Sequence, residues 1–346
     1  MTPDASPLAT LPRAQLSANG PQVARLCLGT MMFGARTDKA EAARILARYR
    51  AAGGDFIDTA DTYAGGASEA MLGDLTGGDW AGLTLASKVG NPVDGVAGSG
   101  GLAPDWVAQA AAMSLERLNA DRMDLYWLHK PDPQTPLPET LGALAELLRQ
   151  GMITHWGLSN FRGWQVAEAV RLADTMGLPR PVAVQPYYHL LNREAEADLI
   201  PAARHYGMGI VPYSPLARGV LTGKYRTGTP EDSRAGRSDT RMMEVEFRPE
   251  TLAAAARAAD HAEGTGRSPA GLALNWVLAC DGVTSLLAGP RTLAQLQGYL
   301  DAIAEPFAAA DEAVLSALCP AGETPGGHRD PRYPLQGRAT TGLATR

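Results

Sequence analysis

Short apolar runs that end at polar residues alternate along the chain with longer segments of helical periodicity. This alternation is typical of repeated βα units around a parallel sheet. A helix-length segment separates each pair of runs except the last. Eight such units predict an α/β fold of one domain, a (β/α)8 TIM barrel. The predicted strands are VARLCLG (23–29), FIDTA (56–60), LTLASKV (83–89), MDLYWLH (123–129), THWGLSN (154–160), PVAVQ (181–185), MGIVPYS (208–214) and TSLLAG (284–289).

The sequence also predicts two helix starts and the boundaries of the barrel within the chain. Thr37 or Asp38 precedes the helical pattern KAEAARILARYRAAGG, and Ser268 with Pro269 opens a later one. A barrel of this kind needs roughly 250 residues, and the chain has 346. We predict an N-terminal segment over 1–22, the barrel over 23–320 and a mostly poorly ordered tail over 321–346, because the tail is rich in Gly, Pro and Thr.

Composition narrows the class of molecule that the protein is expected to bind. The chain is 45% hydrophobic with a net charge of −6, and it has no block of Lys or Arg, so we expect a small-molecule partner rather than nucleic acid or a membrane. Its three cysteines are scattered, which predicts neither a disulfide framework nor a metal site. The N-terminus lacks a basic start and an apolar stretch, so we expect a cytoplasmic protein. No pattern indicates an oligomeric state.

Candidate chemistry lies at the strand ends, which meet on one face of a barrel. Asp58, Lys88 and His129 end three successive predicted strands. The two-residue strand period puts His129 on the same inner face as Leu125 and Trp127. A lone histidine is more often structural, but a carboxylate and an ammonium beside it favour a functional site.

Two of these end residues, together with Tyr63, suggest a proton relay. A buried carboxylate needs a charged partner, and Lys88 is the natural one for Asp58. Tyr63 follows in the next loop, and an adjacent ammonium would lower its usual pKa of about 10. We therefore predict that Asp58 holds Lys88, that Lys88 polarises Tyr63, and that Tyr63 donates a proton to a developing alkoxide. The alternative is a Schiff base on Lys88, which the pairing with Asp58 disfavours because it keeps the lysine protonated.

Eight motifs follow one another along the chain, namely LGTMMFG (28–34), DTADTY, ASKVG, DLYWLHKPDP (124–133), GLSNF (157–161), VQPYYHLLNRE (184–194), YSPLARGVLTGKY (213–225) and AGPRTLAQL (288–296). In this order they resemble the aldo-keto reductase family, including its bacterial members and its channel β-subunit branch. The family's tetrad of Asp, Tyr, Lys and His falls here on Asp58, Tyr63, Lys88 and His129.

This resemblance implies hydride transfer from NADPH to an aldehyde or ketone without a metal. It implies that the histidine orients the carbonyl and that the tyrosine donates the proton. The amide and hydroxyl groups at the strand ends would hold the nicotinamide carboxamide, and Tyr213 would stack on its ring. A second possibility within the family is an NADPH-binding sensing subunit with little turnover. The implied cofactor residues are Gly29, Thr30, Asp58, Ser159, Asn160, Gln185, Tyr213, Ser214, Leu216, Arg218, Gly219, Lys224, Gly289, Arg291 and Gln295.

The phosphate end of the cofactor is assigned to two segments. SPLARGVLTGK (214–224) offers backbone N–H groups and the cations Arg218 and Lys224 for the diphosphate. Arg291 resembles the family's contact to the adenosine 2′-phosphate, which favours NADPH over NADH. Gly298 and Tyr299 depart from the family's acidic residue and asparagine, and Tyr299 either stacks on the adenine or packs in the core.

Two further patterns bear on ligands. GSGGLA (98–103) matches a loose dinucleotide fingerprint, but no strand precedes it, so we interpret it as a loop. Met32, Phe33, Trp127 and Trp164 are candidates for an apolar wall around the carbonyl. The sequence leaves the choice among small aldehydes, sugar aldehydes and aromatic ketones open.

Overall fold

The computed structural model describes residues 10–333, and its centre is one sheet of eight parallel strands. A short antiparallel hairpin, β1 (Arg13–Gln15) and β2 (Gln22–Ala24), precedes the sheet. The run predicted over 23–29 is therefore divided between the hairpin and the barrel. The barrel strands are β3 (Leu26–Gly29), β4 (Phe56–Asp58), β5 (Thr84–Val89), β6 (Met123–Leu128), β7 (Ile153–Ser159), β8 (Ala183–Gln185), β9 (Gly209–Ile210) and β10 (Leu286–Ala288).

The strands pair in chain order from β3 to β9, and β10 pairs with β3. Parallel bridges from Ile210 to Val283 and from Tyr213 to Leu287 join the two remaining edges. These bridges close the sheet into a barrel. Each of the eight predicted runs overlaps one barrel strand, so the predicted (β/α)8 fold is confirmed.

Helices lie between the strands on the outside of the barrel. The Asp38 side chain accepts a hydrogen bond from the Glu41 N–H at 2.8 Å, and Ser268 accepts one from Gly271 at 2.9 Å, so both predicted helix starts are confirmed. Among residues 10–333, no helix has the length and apolarity of a membrane span. The helices are α1 (Lys39–Ala51), α2 (Ala67–Thr76), α3 (Pro104–Leu118), α4 (Leu137–Arg149), α5 (Gly163–Met176), α6 (Leu199–His205), α7 (Thr240–Val245), α8 (Pro249–Gly264), α9 (Pro269–Ala279), α10 (Leu293–Ile303) and α11 (Ala309–Ser316).

Apolar side chains form two layers because successive strand residues point to opposite faces. Leu125 and Trp127 belong to the cluster inside the barrel, whereas Tyr126 and Leu128 belong to the layer between strands and helices. This arrangement confirms the predicted strand period. A Cβ at position 157 would lie 2.5 Å from the Trp127 ring, so Gly157 is what allows the indole to fill the interior.

The N-terminal hairpin covers one mouth of the barrel. Leu16, just after β1, is fully buried in the interior cluster. The Asn19 carbonyl lies 2.9 Å from His155 Nε2, and Arg13 pairs with Asp55 at 2.6 Å. Since this mouth is closed at the amino ends of the strands, the opposite mouth is the one that is available to a ligand.

Two segments lie near that opposite mouth. The first is the insertion 215–248 after β9, which holds a short 3₁₀ helix (Ala217–Thr222) and α7. The second is the end of the described chain, where Asp330 pairs with Arg241 and the Tyr333 carbonyl accepts a hydrogen bond from Arg162 at 2.8 Å. Residues of the segment 321–333 therefore contact the barrel, and the rest of the predicted tail lies outside the described range. The division into three segments stays a prediction.

Candidate active site

The centre of the open mouth is a buried ion pair between neighbouring strands. Asp58 ends β4 and Lys88 lies near the end of β5, and both side chains are fully buried. Each follows an inward-facing apolar residue by two positions, Phe56 and Ala86 respectively. The strand period therefore turns both charged groups toward the barrel axis.

The Lys88 ammonium is fully engaged by its surroundings. It donates to Asp58 Oδ1, to the Thr59 carbonyl at 2.6 Å and to the Tyr63 hydroxyl oxygen at 3.1 Å. The second oxygen of Asp58 accepts a hydrogen bond from Gln185 Nε2 at 3.0 Å. The structure thus brings together three of the four predicted catalytic residues with one predicted cofactor residue.

Burial and pairing act against each other on these charges. Burial is the largest single influence and acts to lower the pKa of Lys88, but Asp58 and Tyr63 together outweigh it and raise the pKa of the ammonium above its usual value. Burial raises the pKa of Asp58, and Lys88 opposes that rise. Because the lysine stays protonated at neutral pH, the geometry disfavours Lys88 as a Schiff-base nucleophile.

The electrostatics of Tyr63 differ from the prediction. Burial raises the pKa of its hydroxyl above the usual value, while Lys88 acts in the opposite direction with a smaller effect. The expected net lowering is therefore reversed, because a sequence pattern does not report how far a loop residue is desolvated. As a result Tyr63 keeps its proton at neutral pH, which is the state that a proton donor requires.

His129 lies beside the tyrosine at the end of β6. The two ring centroids are 6.1 Å apart and the rings are nearly perpendicular, at 79°. Burial, and then the charges of Lys88 and Lys130, lower the pKa of His129 well below its usual value. Its Nδ1 has no hydrogen-bond partner within residues 10–333. His129 is thus a neutral imidazole able to hydrogen-bond a polar ligand atom.

The predicted carboxamide-binding residues form one hydrogen-bonded group beside the ion pair. Ser159 Oγ donates to the Gln185 carbonyl at 3.0 Å. Asn160, held in the left-handed region with φ of 62°, donates to the His129 carbonyl at 2.8 Å. The Tyr213 hydroxyl donates to Asn160 Oδ1 at 2.8 Å. The ends of β6, β7 and β8 and the loop after β9 are therefore tied together.

An aromatic pair stands at the edge of this group. The rings of Tyr187 and Tyr213 are stacked, with centroids 5.2 Å apart and planes inclined by 24°. The Tyr187 hydroxyl donates to the buried carboxyl group of Glu246, from the insertion. The sequence analysis predicted Tyr213 but missed Tyr187, which stacks on it, and Glu246, which holds Tyr187. The local signal for Tyr187 was its position two residues after the end of a predicted strand.

The phosphate-side residues lie in the insertion and before α10. Arg218 has a positive φ of 53° and a side chain that is 10% exposed. Lys224 Nζ lies 5.2 Å from the Tyr225 ring centroid, over its face. Arg291 approaches Asp232 at 3.7 Å, and its carbonyl accepts a hydrogen bond from Thr37 at 2.9 Å. Arg291 is therefore adjacent to the insertion in space.

Two further arginines of the insertion join this region and were missed. Arg237 donates to the Asp232 carbonyl, and Arg234 lies 3.2 Å from Asp239. Burial, and then the nearby charges of Arg36 and Arg291, lower the pKa of Arg237, so several cations crowd together. Such crowding fits a polyanionic ligand. The signal in the sequence was the density of arginine over 226–241.

The other predicted cofactor residues occupy the same mouth. Thr30 is fully buried and donates to the Asp58 carbonyl at 3.2 Å. Gln295 accepts a hydrogen bond from the Arg291 N–H at 2.7 Å. Gly29 and Gly289 lie at the ends of β3 and β10. The rest are in the loop after β9, namely Ser214, Leu216 and Gly219.

The predicted apolar wall is only partly open to a ligand. Phe33 and Trp127 are fully buried in the core, because each packs within a layer of the barrel, and neither presents a face at the mouth. Met32 is half-buried, and Trp164, at the start of α5, is 61% exposed. Tyr299 is half-buried and packs against the core, where burial raises its pKa to about 12.

The fold and the site together define a barrel enzyme whose polar mouth surrounds a protonated tyrosine. A sequence profile described as "Aldo/keto reductase family" matches residues 25–318. The chain therefore belongs to the aldo/keto reductase family of oxidoreductases, which generally use NAD(P)H.

Individual relatives agree with this family. The chain is 34% identical to "Uncharacterized oxidoreductase YrpG" of Bacillus subtilis (strain 168), over 90% of this chain and 97% of that protein. It is 40% identical to "Aflatoxin B1 aldehyde reductase member 2" of Rattus norvegicus, over 58% of this chain and 54% of that protein. It is 30% identical to "Probable voltage-gated potassium channel subunit beta" of Arabidopsis thaliana, over 83% of this chain and 90% of that protein.

Proposed function

We propose that the protein reduces an aldehyde or ketone to an alcohol, with NADPH as the hydride donor and Tyr63 as the proton donor. The observation that carries this proposal is the 3.1 Å contact between the Lys88 ammonium and the Tyr63 hydroxyl. It supports the proposal because the hydroxyl is protonated at neutral pH and lies next to a fixed positive charge.

Each of the four residues around the ion pair has its own role in proton transfer. Tyr63 donates its proton to the carbonyl oxygen as negative charge develops there. Lys88 stabilises the phenolate that remains, and Asp58 keeps the lysine charged. His129, which is neutral, hydrogen-bonds the carbonyl oxygen and orients it. Bound NADPH supplies the hydride.

Polar and aromatic side chains along the open mouth match the successive groups of a nicotinamide cofactor. Ser159, Asn160 and Gln185 provide hydroxyl and amide groups for a carboxamide, and Tyr213 provides an aromatic face for a flat ring. The crowded arginines of the insertion suit the phosphates, because arginine binds phosphate in a bidentate manner. These features support a dinucleotide, and the additional cations favour one that carries a 2′-phosphate.

The preference for NADPH over NADH provides a test of the phosphate assignment. We expect Arg291→Ala with Arg237→Ala to raise the Kd for NADPH by about 10²- to 10⁴-fold, since charged hydrogen bonds contribute about 1.5–3 kcal/mol each. The Kd for NADH should change little. Fluorescence titration with each cofactor measures both values, and Arg257→Ala, an exposed arginine on α8, serves as the control. Equal weakening for both cofactors would contradict the assignment.

The proposed activity is tested by following NADPH oxidation with the purified protein and a panel of aldehydes and ketones. Consumption that depends on the carbonyl compound is the expected result. The similarity to a plant protein named as a channel β subunit supports a second candidate, a cofactor-binding subunit with little turnover. Tight NADPH binding without consumption across the panel would favour that second function.

A further inference from the structure

A buried carboxyl group outside the proposed relay lies behind the aromatic pair. Glu246 directly follows α7 and is 1% exposed. Its Oε1 accepts a hydrogen bond from the Tyr187 hydroxyl. The same oxygen lies 3.5 Å from His189 Nε2 and 3.9 Å from Arg218 Nε. Groups from the segment after β8 and from the 3₁₀ helix of the insertion thus converge on one oxygen atom of Glu246.

This position links the two ends of the proposed cofactor cleft. Through Tyr187, Glu246 supports the ring of Tyr213, which in turn bonds Asn160 at the nicotinamide end. Arg218, the candidate residue for binding the diphosphate, lies on the other side of Glu246. The Arg218 guanidinium lies 5.8 Å from the Tyr187 ring centroid, over its face. Both ends therefore share one buried carboxyl group.

A purely structural role explains the site poorly. A buried carboxylate is costly unless a cation pairs with it closely. Arg218 Nε is 3.9 Å away and has no hydrogen-bond partner within residues 10–333, and His189 Nε2 likewise has none. An apolar side chain would fill this volume without the cost of burying a carboxyl group, whether that group is neutral or charged. The loose pairing leaves Arg218 available to an anion that enters the cleft.

We propose that Glu246 is a positioning residue of the cofactor site, which holds Tyr187 behind Tyr213 and sets the positive charge that Arg218 presents to the diphosphate. The proposal rests on the proposed function, because it takes a dinucleotide as the ligand. It adds a residue that does not touch the reacting atoms and acts through two residues that contact the cofactor.

The charge state of this group gives the proposal a pH dependence. Burial, and then the charge of Asp330, raise the pKa of Glu246 to about 8. Burial, and then Arg218, lower the pKa of His189 to about 3, so this imidazole stays neutral in the range of interest. Of the other charged groups that face the site, Asp330 is paired with Arg241. The Tyr187 phenol and the Arg218 guanidinium also lie next to the carboxyl group, and the Tyr213 phenol stacks on Tyr187.

The sign of the effect follows from these states. Below pH 8 Glu246 is neutral, and Arg218 attracts an anion with its full charge. Above pH 8 the carboxylate neutralises part of that charge. The affinity for a diphosphate should therefore fall as the pH rises through about 8, and a side chain that does not ionise should remove this dependence.

The test compares the full-length wild type with Glu246→Gln, which preserves shape and a hydrogen-bonding group. The Kd of NADPH and of ADP is measured by titration from neutral pH to about pH 9.5, so that Glu246 passes from neutral to charged. We expect the wild-type Kd for both probes to rise about tenfold, which corresponds to 1.4 kcal/mol, and the variant to stay nearly constant. Glu250→Gln, an exposed carboxylate at the start of α8, should behave like the wild type.

A second variant tests the support of the aromatic pair. Tyr187→Leu removes the stacked ring and should raise the Kd for NADPH by about two- to tenfold, as expected for one aromatic contact. The Kd for ADP, which has no nicotinamide, should rise less, since Arg218 loses only the ring face 5.8 Å from its guanidinium. Parallel pH profiles in the wild type and Glu246→Gln, or an unchanged NADPH Kd in Tyr187→Leu, would overturn the proposal. A wild type that binds no NADPH at any pH would overturn the proposed function as well.

Discussion

Replacing Tyr63 with phenylalanine is expected to lower kcat for carbonyl reduction by about 10²- to 10⁴-fold, the usual contribution of a positioned general acid. The hydroxyl is the only part of the side chain that is removed, and it lies 3.1 Å from the Lys88 ammonium. The ring that packs against His129 remains. The loss should therefore fall on the transition state and leave the ground-state complex intact.

Steady-state kinetics with a carbonyl substrate and a separate NADPH titration measure the two quantities. We expect the Kd for NADPH to change less than about twofold, since Tyr63 acts on the proton and not on cofactor affinity. Tyr206→Phe, at the end of α6 and remote from the mouth, is the matched control and should keep wild-type kcat. A near-normal kcat in Tyr63→Phe would mean that another group is the acid.

The second large effect concerns the ion pair. Asp58→Asn should lower the free energy of unfolding by about 3–5 kcal/mol, because it leaves a fully buried ammonium without its counter-charge. Turnover should fall as well, since Lys88 then loses its proton more easily and no longer stabilises the Tyr63 phenolate. Urea unfolding followed by circular dichroism measures the stability, and NADPH oxidation measures the turnover.

Two control variants separate the effect of burial on stability from the effect of the charges. Asp74→Asn breaks the exposed pair with Lys39, whose side chains are 59% and 66% exposed, and should cost at most about 1 kcal/mol. The double variant Asp58→Asn with Lys88→Met removes both buried charges. It should regain much of the lost stability and none of the turnover. A double variant that recovers turnover would contradict the role of the pair.

Much of the fold was predictable because its signals are local. The apolar runs marked all eight barrel strands, and the two-residue period correctly turned Trp127 inward and Tyr126 outward. The positions of Asp58 and Lys88 at the ends of adjacent strands followed from the same reasoning. Parallel strands bring their carboxyl ends to one mouth, so a local pattern was enough to predict a contact between distant residues.

Features that depend on tertiary packing were not predictable. Tyr187 and Glu246 are 59 residues apart, and no pattern in either segment indicates their contact. The net pKa shift of Tyr63 depends on how the surrounding chain desolvates it, which its neighbours in sequence do not reveal. Phe33 was assigned to the substrate wall from its residue type, whereas the structure buries it in the core.

The most direct test of the proposed carbonyl reduction follows the hydride from NADPH into the alcohol product. The protein is mixed with NADPH carrying deuterium at the transferable C4 position and with a carbonyl compound that is consumed in the panel, and the alcohol is analysed by mass spectrometry. We predict one deuterium on the carbinol carbon of the product. An alcohol that forms without deuterium on that carbon would contradict hydride transfer from the cofactor, and so would bound NADPH that yields no alcohol with any compound of the panel.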